Sequence, residues 1–579
     1  MIDHELLVHR LWSIVHRPLM TTLPNLLQRS YQEIPDKTSI ILQHAGQPDK
    51  PITYRDLIHG ANRFALTYAR EGIKPGEVVI LILQHGEDLI YSFWGAILHG
   101  AIPSIMPFLT EKLAPEKYRA DLASLISITK PTTIVTYPEF EAEVRSALVE
   151  GNSVRHVILT STVEAEAEPN FESLQGFKSS PEDIVVLQHS SGTTGLQKGV
   201  ALSHRAVLNQ LESYGKTIHI DPEKDVIVSW LPLYHDMGFI ACFLLPVLLR
   251  IPLVNMSPFD WVRAPYKLHQ AISQYKGTLT WLPNFAYNFC AHKIRERNLE
   301  GVNLSSWRAI INCSEPVHVE SHDLFFEKFS AYGLKKSALQ TCYAMAENVF
   351  AVTQSPLDGT PAVDEIDRET FMTQRLATPP IAGQPSMKMT SSGHPLPNTK
   401  IRVVDESFND LPNRSVGEIA VQSDCMLTEY FNRPDATEAA IKNGWYLTGD
   451  YGYIANGELY VSGRKKDLII VGGKNVYPQD LESLACEVLG VHKGRTVAFG
   501  MYDEEEGTEE VVIIAEAEST SPSEQEAIAD AIRKHVTKSS AIALRHVKVV
   551  DDKWIIKTSS GKTARSANKE KFLKELEIN

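Results

Sequence analysis

Hydrophobic positions follow two rhythms along the chain. Short, nearly unbroken apolar runs at 78–83 (VVILIL), 133–136, 184–187 and 226–230 are bounded by turn residues. Their length and β-branched content predict buried strands. Between them lie stretches with apolar residues three and four apart, at 55–70 and 204–214 among others, which predict helices with one buried face. Strands alternating with helices predict an α/β architecture with largely parallel sheets. The apolar run 238–249 is too short to span a bilayer and is interrupted by Pro246, so it is expected to form a buried helix.

From about Val403 the texture changes to short strands with tight turns: IRVVDE, GEIAVQ, GWYLTGDYGYI and ELYVSGRKKDLIIVGG. These predict a small β-rich subdomain at about 400–465. From about Asp467 strand and helix alternate again, through VAFGMY, VVIIAEAE, a helix over 523–535 and HVKVV. The expected organisation is a large N-terminal domain of mixed α/β sheets, 1–465, followed by a small α+β C-terminal domain, 466–579. A length of 579 residues exceeds what one core usually organises, which fits at least two domains.

A net charge of -14 argues against a nucleic-acid backbone as partner, because counterion release needs a basic face. Six scattered cysteines without C-x-x-C spacing are expected to be reduced thiols in a cytoplasmic protein. Asp3, His4 and Glu5 precede any apolar run, unlike a secretory signal, and no membrane span is expected. Basic residues do gather towards the C-terminus, Lys569, Lys571 and Lys574 among them. They read either as a docking surface for an acidic partner or as a solvated helix face.

The strongest local signal is Ser190-Ser191-Gly192-Thr193-Thr194-Gly195-Leu196-Gln197-Lys198-Gly199, directly after a predicted strand. Glycines let backbone N–H groups approach phosphate oxygens, hydroxyls add donors, and Lys198 adds charge. The spacing is not that of a Walker A loop. Read alone, the segment is either a phosphate cradle or an ordinary polar surface loop.

Six further stretches follow in order: LPLYHDMG at 231–238, NCSEPV at 312–317, YAMAE at 343–347, YLTGD at 446–450, GRKKDLIIVGGKNVYP at 463–478 and TSSGKTAR at 558–565. Together with the loop they resemble the motifs of the acyl-adenylate-forming superfamily, which includes acyl-CoA synthetases, luciferases and peptide-synthetase adenylation domains. The resemblance covers most of the chain. It implies that a carboxylate attacks the α-phosphate of ATP and expels pyrophosphate, a meeting of two anions that needs positive charge at the transition state.

The resemblance also implies roles. Lys562, on a mobile C-terminal domain, would bridge carboxylate and α-phosphate, and His235 would help orient the acid. Ser190, Ser191, Gly192, Thr193, Thr194, Gly195, Lys198, Ser314, Glu315, Pro316, Tyr343, Ala344, Met345, Asp450 and Arg464 would hold the nucleotide. Within that set Tyr343 would stack on adenine, and Asp450 with Arg464 would meet the ribose. Glu347 and Thr193 would hold Mg²⁺, and Lys466 would be the hinge. Read without the resemblance, Lys562 is a solvated lysine, Asp450 a turn residue, Glu347 a helix-capping acid, and His235 and Tyr343 structural.

Two departures stand out: Cys313-Ser314 replaces a small Ala or Gly pair, and Gln197 replaces the usual Pro. LPLYHDMG, LPNFAY at 282–287 and YPQDLE at 477–482 look like fatty acyl-AMP ligases, which load fatty acids onto acyl carrier proteins. Tyr234, Met237, Gly238, Asn284 and Phe285 are then expected to line an acyl pocket. The long stretch 348–392 carries its own apolar residues and resembles the insertion of that branch, where it is thought to restrict the C-terminal domain; the alternative is a plain loop. Three functions remain open at this point: a fatty acyl-AMP ligase serving a carrier protein, an acyl-CoA synthetase, and an inactive nucleotide-binding scaffold.

Overall fold

The computed structural model describes residues 21–109, 115–164, 168–189, 198–471, 474–503, 508–519, 521–540, 542, 544–558 and 561–578. The expected strands and helices form within a residue or a few of their predicted bounds, and they assemble into stacked layers around a large apolar core. The main sheet has nine strands. Its centre is six parallel strands in the order Leu339–Ala344, Ala309–Asn312, Leu279–Leu282, Ile227–Ser229, Leu253–Met256 and Thr38–Gln43. Those central strands are buried on both faces, which accounts for their unbroken apolar sequence. Antiparallel strands close both edges.

A second, wholly parallel sheet runs Ile102–Ile105, Val78–Ile82, Thr133–Thr136 and His156–Leu159. The helices Tyr54–Arg70 and Glu87–His99 pack between the two sheets. Tyr54–Arg70 starts at a reciprocal cap: Asp56 N–H donates to Thr53 Oγ1, and Thr53 N–H donates to the Asp56 carboxylate. The helices approach so closely at Gly95 that a Cβ there would stand 2.7 Å from the Ala61 carbonyl oxygen, a place only glycine fits.

Met237–Leu244 is a π-helix, not the regular helix expected, and it continues as α-helix over Leu245–Leu248. Asp236 caps its start, and the Leu245 N–H reaches back five residues to the Ile240 carbonyl. The wider coil is held by tight burial, with Phe93 edge-on to both Phe239 and Phe243.

The β-rich part is a five-stranded sheet built from Thr399–Val404, Gly417–Ser423, Ile441–Lys442, Trp445–Ala455 and Glu458–Arg464. The C-terminal module is a three-stranded sheet, Val491–Asp503, Thr508–Ala517 and His546–Val550, with helices Pro478–Cys486, Pro522–Ser540 and Arg565–Ile578. The inserted segment runs between two paired strands of the main sheet, Ala351–Gln354 and His394–Pro395. The first residues of the expected stretch 348–392 are therefore not an independent insertion, because Ala351–Gln354 is a strand of the main sheet. The self-contained part is a hairpin, Val363–Asp367 with Ser386–Thr390, and the helix Arg368–Gln374. Phe371 packs in a cluster with Tyr453 and Tyr477, while Met372 joins Ile469 and Leu481 in the core of the C-terminal module. The Arg368 guanidinium donates to the Ser539 carbonyl at 2.5 Å. The inserted helix thus touches the β-rich sheet and the C-terminal module together.

Among the described residues no helix is long and apolar enough to cross a membrane.

Candidate active site

Parallel strands all deliver their C-terminal ends to one edge of a sheet, where the following loops are free to carry function. Here three such ends supply the motif residues. Ile227–Ser229 leads into Trp230–Gly238, Ala309–Asn312 into Cys313–Pro316, and Leu339–Ala344 carries Tyr343 into Met345 and Glu347. The segment Ser190, Ser191, Gly192, Thr193, Thr194 and Gly195 lies outside the described residues; Lys198 is described.

One cluster centres on Asp236. Its carboxylate accepts the Met237 N–H at 2.8 Å and lies 2.6 Å from His235 Nδ1. Burial alone would raise this acid, but His235, the Lys562 ammonium and the Met237 N–H together hold it down at about 2. Glu315 faces the same space and accepts the Phe285 N–H at 3.0 Å. Burial raises Glu315 above the usual carboxylate range, opposed by the Phe285 N–H, Lys562, Lys557 and His235. Lys562 belongs to the C-terminal module, and its charge acts on both of these acids. Its turn is fixed by the Thr558 N–H donating to the Lys562 carbonyl at 2.7 Å and the Lys562 N–H donating to Thr558 Oγ1 at 3.1 Å. Gly561 turns at φ +88°, and a side chain there would lie 3.5 Å from the Phe285 ring.

A second cluster joins Tyr343, Asp450 and Arg464. The Tyr343 hydroxyl donates to Asp450 Oδ2 at 2.6 Å, and Arg464 Nε stands 3.5 Å from Asp450 Oδ1. Burial raises Asp450, while Arg464 and Tyr343 oppose the shift. The expected stacking role leaves Tyr343 with a second task, since its hydroxyl orients the same carboxylate that was expected to meet the ribose.

The third cluster is Glu347, which accepts the Tyr430 hydroxyl at 2.7 Å; Tyr430 in turn pairs with Tyr446 at 2.8 Å. Lys198 Nζ lies 4.5 Å above the Tyr430 ring. Glu347 is raised by burial, with the Tyr430 hydroxyl the main opposing contact. Sequence reasoning missed Asp236, Lys557 and Tyr430; Asp236 stood in plain view inside LPLYHDMG, whereas nothing local marks Tyr430.

Among the residues expected to line an acyl pocket, Met237 is buried with its Sδ 3.0 Å from Cys313 Sγ. A Cβ at Gly238 would strike the Pro232 carbonyl at 2.3 Å, so this glycine is required by backbone packing. Burial pushes the Tyr234 hydroxyl up to about 12. Asn284 is held firmly in place. Its amide donates to Ser321 Oγ and accepts from Asn312 Nδ2 and the His318 N–H, so it braces the loop after the strand. A buried amide has to be satisfied in this way. Phe285 stands edge-on to Trp230 and Trp261, with centroids 6.3 Å from each.

Ser314 holds φ +70°, a conformation that suits glycine better, which is the physical meaning of the small residue expected there. Pro316 is exposed and Ala344 half-buried at the same edge. The crossing between bodies is anchored on both sides: Lys465 pairs with Glu418 at 2.9 Å, and Asp467 pairs with Arg565 at 2.8 Å. Lys466 sits between these anchors.

Residues 27–431 match the AMP-binding enzyme family. The chain belongs to that family. It is 28% identical to the long-chain-fatty-acid–AMP ligase FadD26 of Mycobacterium tuberculosis over 579 aligned positions, covering 95% of this chain and 97% of that one. It is 26% identical to the medium-chain-fatty-acid–[acyl-carrier-protein] ligase JamA of Moorena producens, covering 96% of each. Its fold superposes on one of the fatty acyl-adenylate ligases of E. coli and L. pneumophila with a TM-score of 0.88, at 26% identity, covering 98% of this chain and 99% of the other.

Proposed function

We infer that this enzyme uses ATP to convert a fatty acid into an acyl-AMP, releasing pyrophosphate, and then passes the acyl group to an acyl carrier protein. The observation that carries the reading is that the turn holding Lys562, from the C-terminal module, lies against Phe285, whose backbone N–H holds Glu315 at the strand ends. A carboxylate oxygen bonds to the α-phosphorus, and the bond from that phosphorus to the bridging oxygen of the leaving pyrophosphate breaks. Lys562 is assigned to neutralise the two anions as they meet. Asp236 and Glu315 supply counter-charge that keeps Lys562 at the site, and His235 is assigned to orient the acid beside Asp236. Lys198, Ser314, Glu315, Pro316, Tyr343, Ala344, Met345, Asp450 and Arg464 are assigned to the nucleotide, together with the loop 190–195.

Glu347 fits Mg²⁺ as a hard oxygen donor held by tyrosine hydroxyls, with Thr193 as a second contact; this ion takes few protein ligands and completes its shell from phosphates and water. Bound there, Mg²⁺ would supply charge neutralisation on the phosphates. Lys466 is assigned as the hinge, and the inserted helix as the brace holding the module in the adenylating position. That brace favours a carrier-protein acceptor over free coenzyme A, and a cytoplasmic location follows from the need for both ATP and carrier. Fatty-acid-dependent exchange of labelled pyrophosphate into ATP tests the first step; absence of exchange with every fatty acid tried would refute it.

A further inference from the structure

Two functional side chains converge on Tyr430. Its short strand, Glu429–Tyr430, pairs antiparallel with Gly199–Ser203, which begins one residue after Lys198. Tyr430 sits opposite Val200, and the Phe431 N–H donates to the Gly199 carbonyl at 2.8 Å. The backbone of Tyr430 is therefore fixed to the chain that carries Lys198. The Lys198 ammonium lies over the Tyr430 ring, 4.5 Å from its centroid, well within cation–π range. On the other side the Leu427 N–H donates to the Glu347 carbonyl at 2.7 Å, and the Tyr430 hydroxyl donates to Glu347 Oε1 at 2.7 Å.

The direction of the hydrogen bonds follows from counting protons. A phenol has one, and Tyr430 gives it to the carboxylate, which can only accept. In the 2.8 Å contact between the two tyrosines, Tyr446 is then the donor. The order is Tyr446 to Tyr430 to Glu347. Both tyrosines are buried, at 6% and 3% exposure, so neither hydroxyl has water at hand to replace its partner. Glu347 itself is only half-buried. One of its oxygens is pinned while the carboxylate stays open to a ligand.

We propose that Tyr430 is a positioning residue for metal-assisted ATP binding: its hydroxyl orients the Glu347 carboxylate for Mg²⁺, and its ring holds the Lys198 ammonium for the phosphates. This rests on the assignment of Glu347 to Mg²⁺ made above.

Calorimetric titration with ATP, without fatty acid, in excess Mg²⁺ and in EDTA gives the gain in affinity that Mg²⁺ confers. In Tyr430→Phe, which keeps the ring, that gain is expected to fall about tenfold, as loss of one hydrogen bond to a carboxylate allows, while affinity in EDTA stays within about twofold. Tyr430→Leu removes the ring as well and should weaken binding in EDTA by about two- to fivefold. Tyr446→Phe leaves the donor to Glu347 and removes only the support behind it, so the Mg²⁺ gain should fall in the same direction by less. An equal loss in Mg²⁺ and in EDTA for Tyr430→Phe marks a merely structural tyrosine and overturns the proposal. Unchanged binding in EDTA for Tyr430→Leu overturns the part concerning Lys198. If the Tyr430 variants do not fold, an unchanged Mg²⁺ gain in Tyr446→Phe overturns the proposal instead. No Mg²⁺ gain in the wild type removes the Glu347 assignment and this proposal with it, whereas a gain lost in Glu347→Gln but kept in Tyr430→Phe removes this proposal alone.

Discussion

The inserted helix offers a direct perturbation of domain position. Met372 is 8% exposed and belongs to the core of the C-terminal module, although its own helix is rooted beside the β-rich sheet. Truncating a buried Met to Ala costs about 2–5 kcal/mol where the contact is made. Rotation of the module about Lys466 would break that contact, so the loss weighs on the docked state and not on the rotated one. Taking the low end, about 2 kcal/mol, the docked-to-rotated ratio falls by about 30-fold in Met372→Ala. Arg368→Ala removes a charged donor from the Ser539 carbonyl, worth about 1.5–3 kcal/mol, and the two effects need not add because both side chains leave together. The assay is limited trypsin cleavage after Lys465 and Lys466, run beside the two half-reactions. Cleavage tracks the open population when closure is faster than proteolysis. The hinge should be cut about ten- to thirty-fold faster in Met372→Ala, with adenylation slowed relative to acyl transfer. Unchanged cleavage and an unchanged ratio of half-reactions, in a variant that melts as one folded species, would refute the bracing role.

Lys562→Ala should slow acyl-AMP formation by a factor on the order of 10²–10³ with little change in ATP affinity, measured by pyrophosphate exchange and ATP titration; near-normal adenylation would contradict its assignment. Tyr343→Phe deprives the buried Asp450 carboxylate of a 2.6 Å donor and should weaken ATP binding by about tenfold, read as KM for ATP. Asp480 is raised by burial from its ordinary 3.8 to about 7, with Arg368 opposing and Glu482 assisting the shift. The folded protein then holds a proton that the unfolded chain has lost, so stability falls as pH rises from about 4 to about 7 and levels off above. Melting curves of wild type and Asp480→Asn across that range check it, the variant losing this component of the slope. The C-terminal lysines are largely committed within the module, Lys574 to Glu570 at 2.7 Å and Lys571 to the Trp554 carbonyl at 2.8 Å. Charge reversal at Lys574 should accordingly change acyl transfer to carrier protein less than twofold, as expected for an exposed pair.

Much of the fold was legible because the burial of each element leaves its own period in the sequence. Strands buried on both faces read as unbroken apolar runs, and helices such as Tyr54–Arg70 announce both their face and their cap. The π-helix at Met237–Leu244 was not legible, since an apolar stretch buried all round has no polar stripe to report its pitch. The start of the insertion was misplaced for a similar reason: Ala351–Gln354 is apolar in either setting, and only pairing with Leu339–Ala344 assigns it to the main sheet. At the site, motif order located the residues but not their partnerships. Tyr430 reaches Glu347 across 83 positions of sequence, and the Asn284 amide bonds Ser321 and Asn312, both distant in the chain. The Lys466 crossing shows the same limit, because the anchors Glu418 and Arg565 lie far from it in the chain.

ATP and a fatty acid are expected to become an acyl-AMP here, with coenzyme A not the natural acceptor. Mass spectrometry of the products formed with ATP, Mg²⁺ and a ladder of fatty acids, with coenzyme A present or absent, addresses both halves at once. Acyl-AMP and pyrophosphate should appear in either condition, with little acyl-CoA even when coenzyme A is supplied. ATP left untouched across the whole ladder, or acyl-CoA as the main product, would contradict the account.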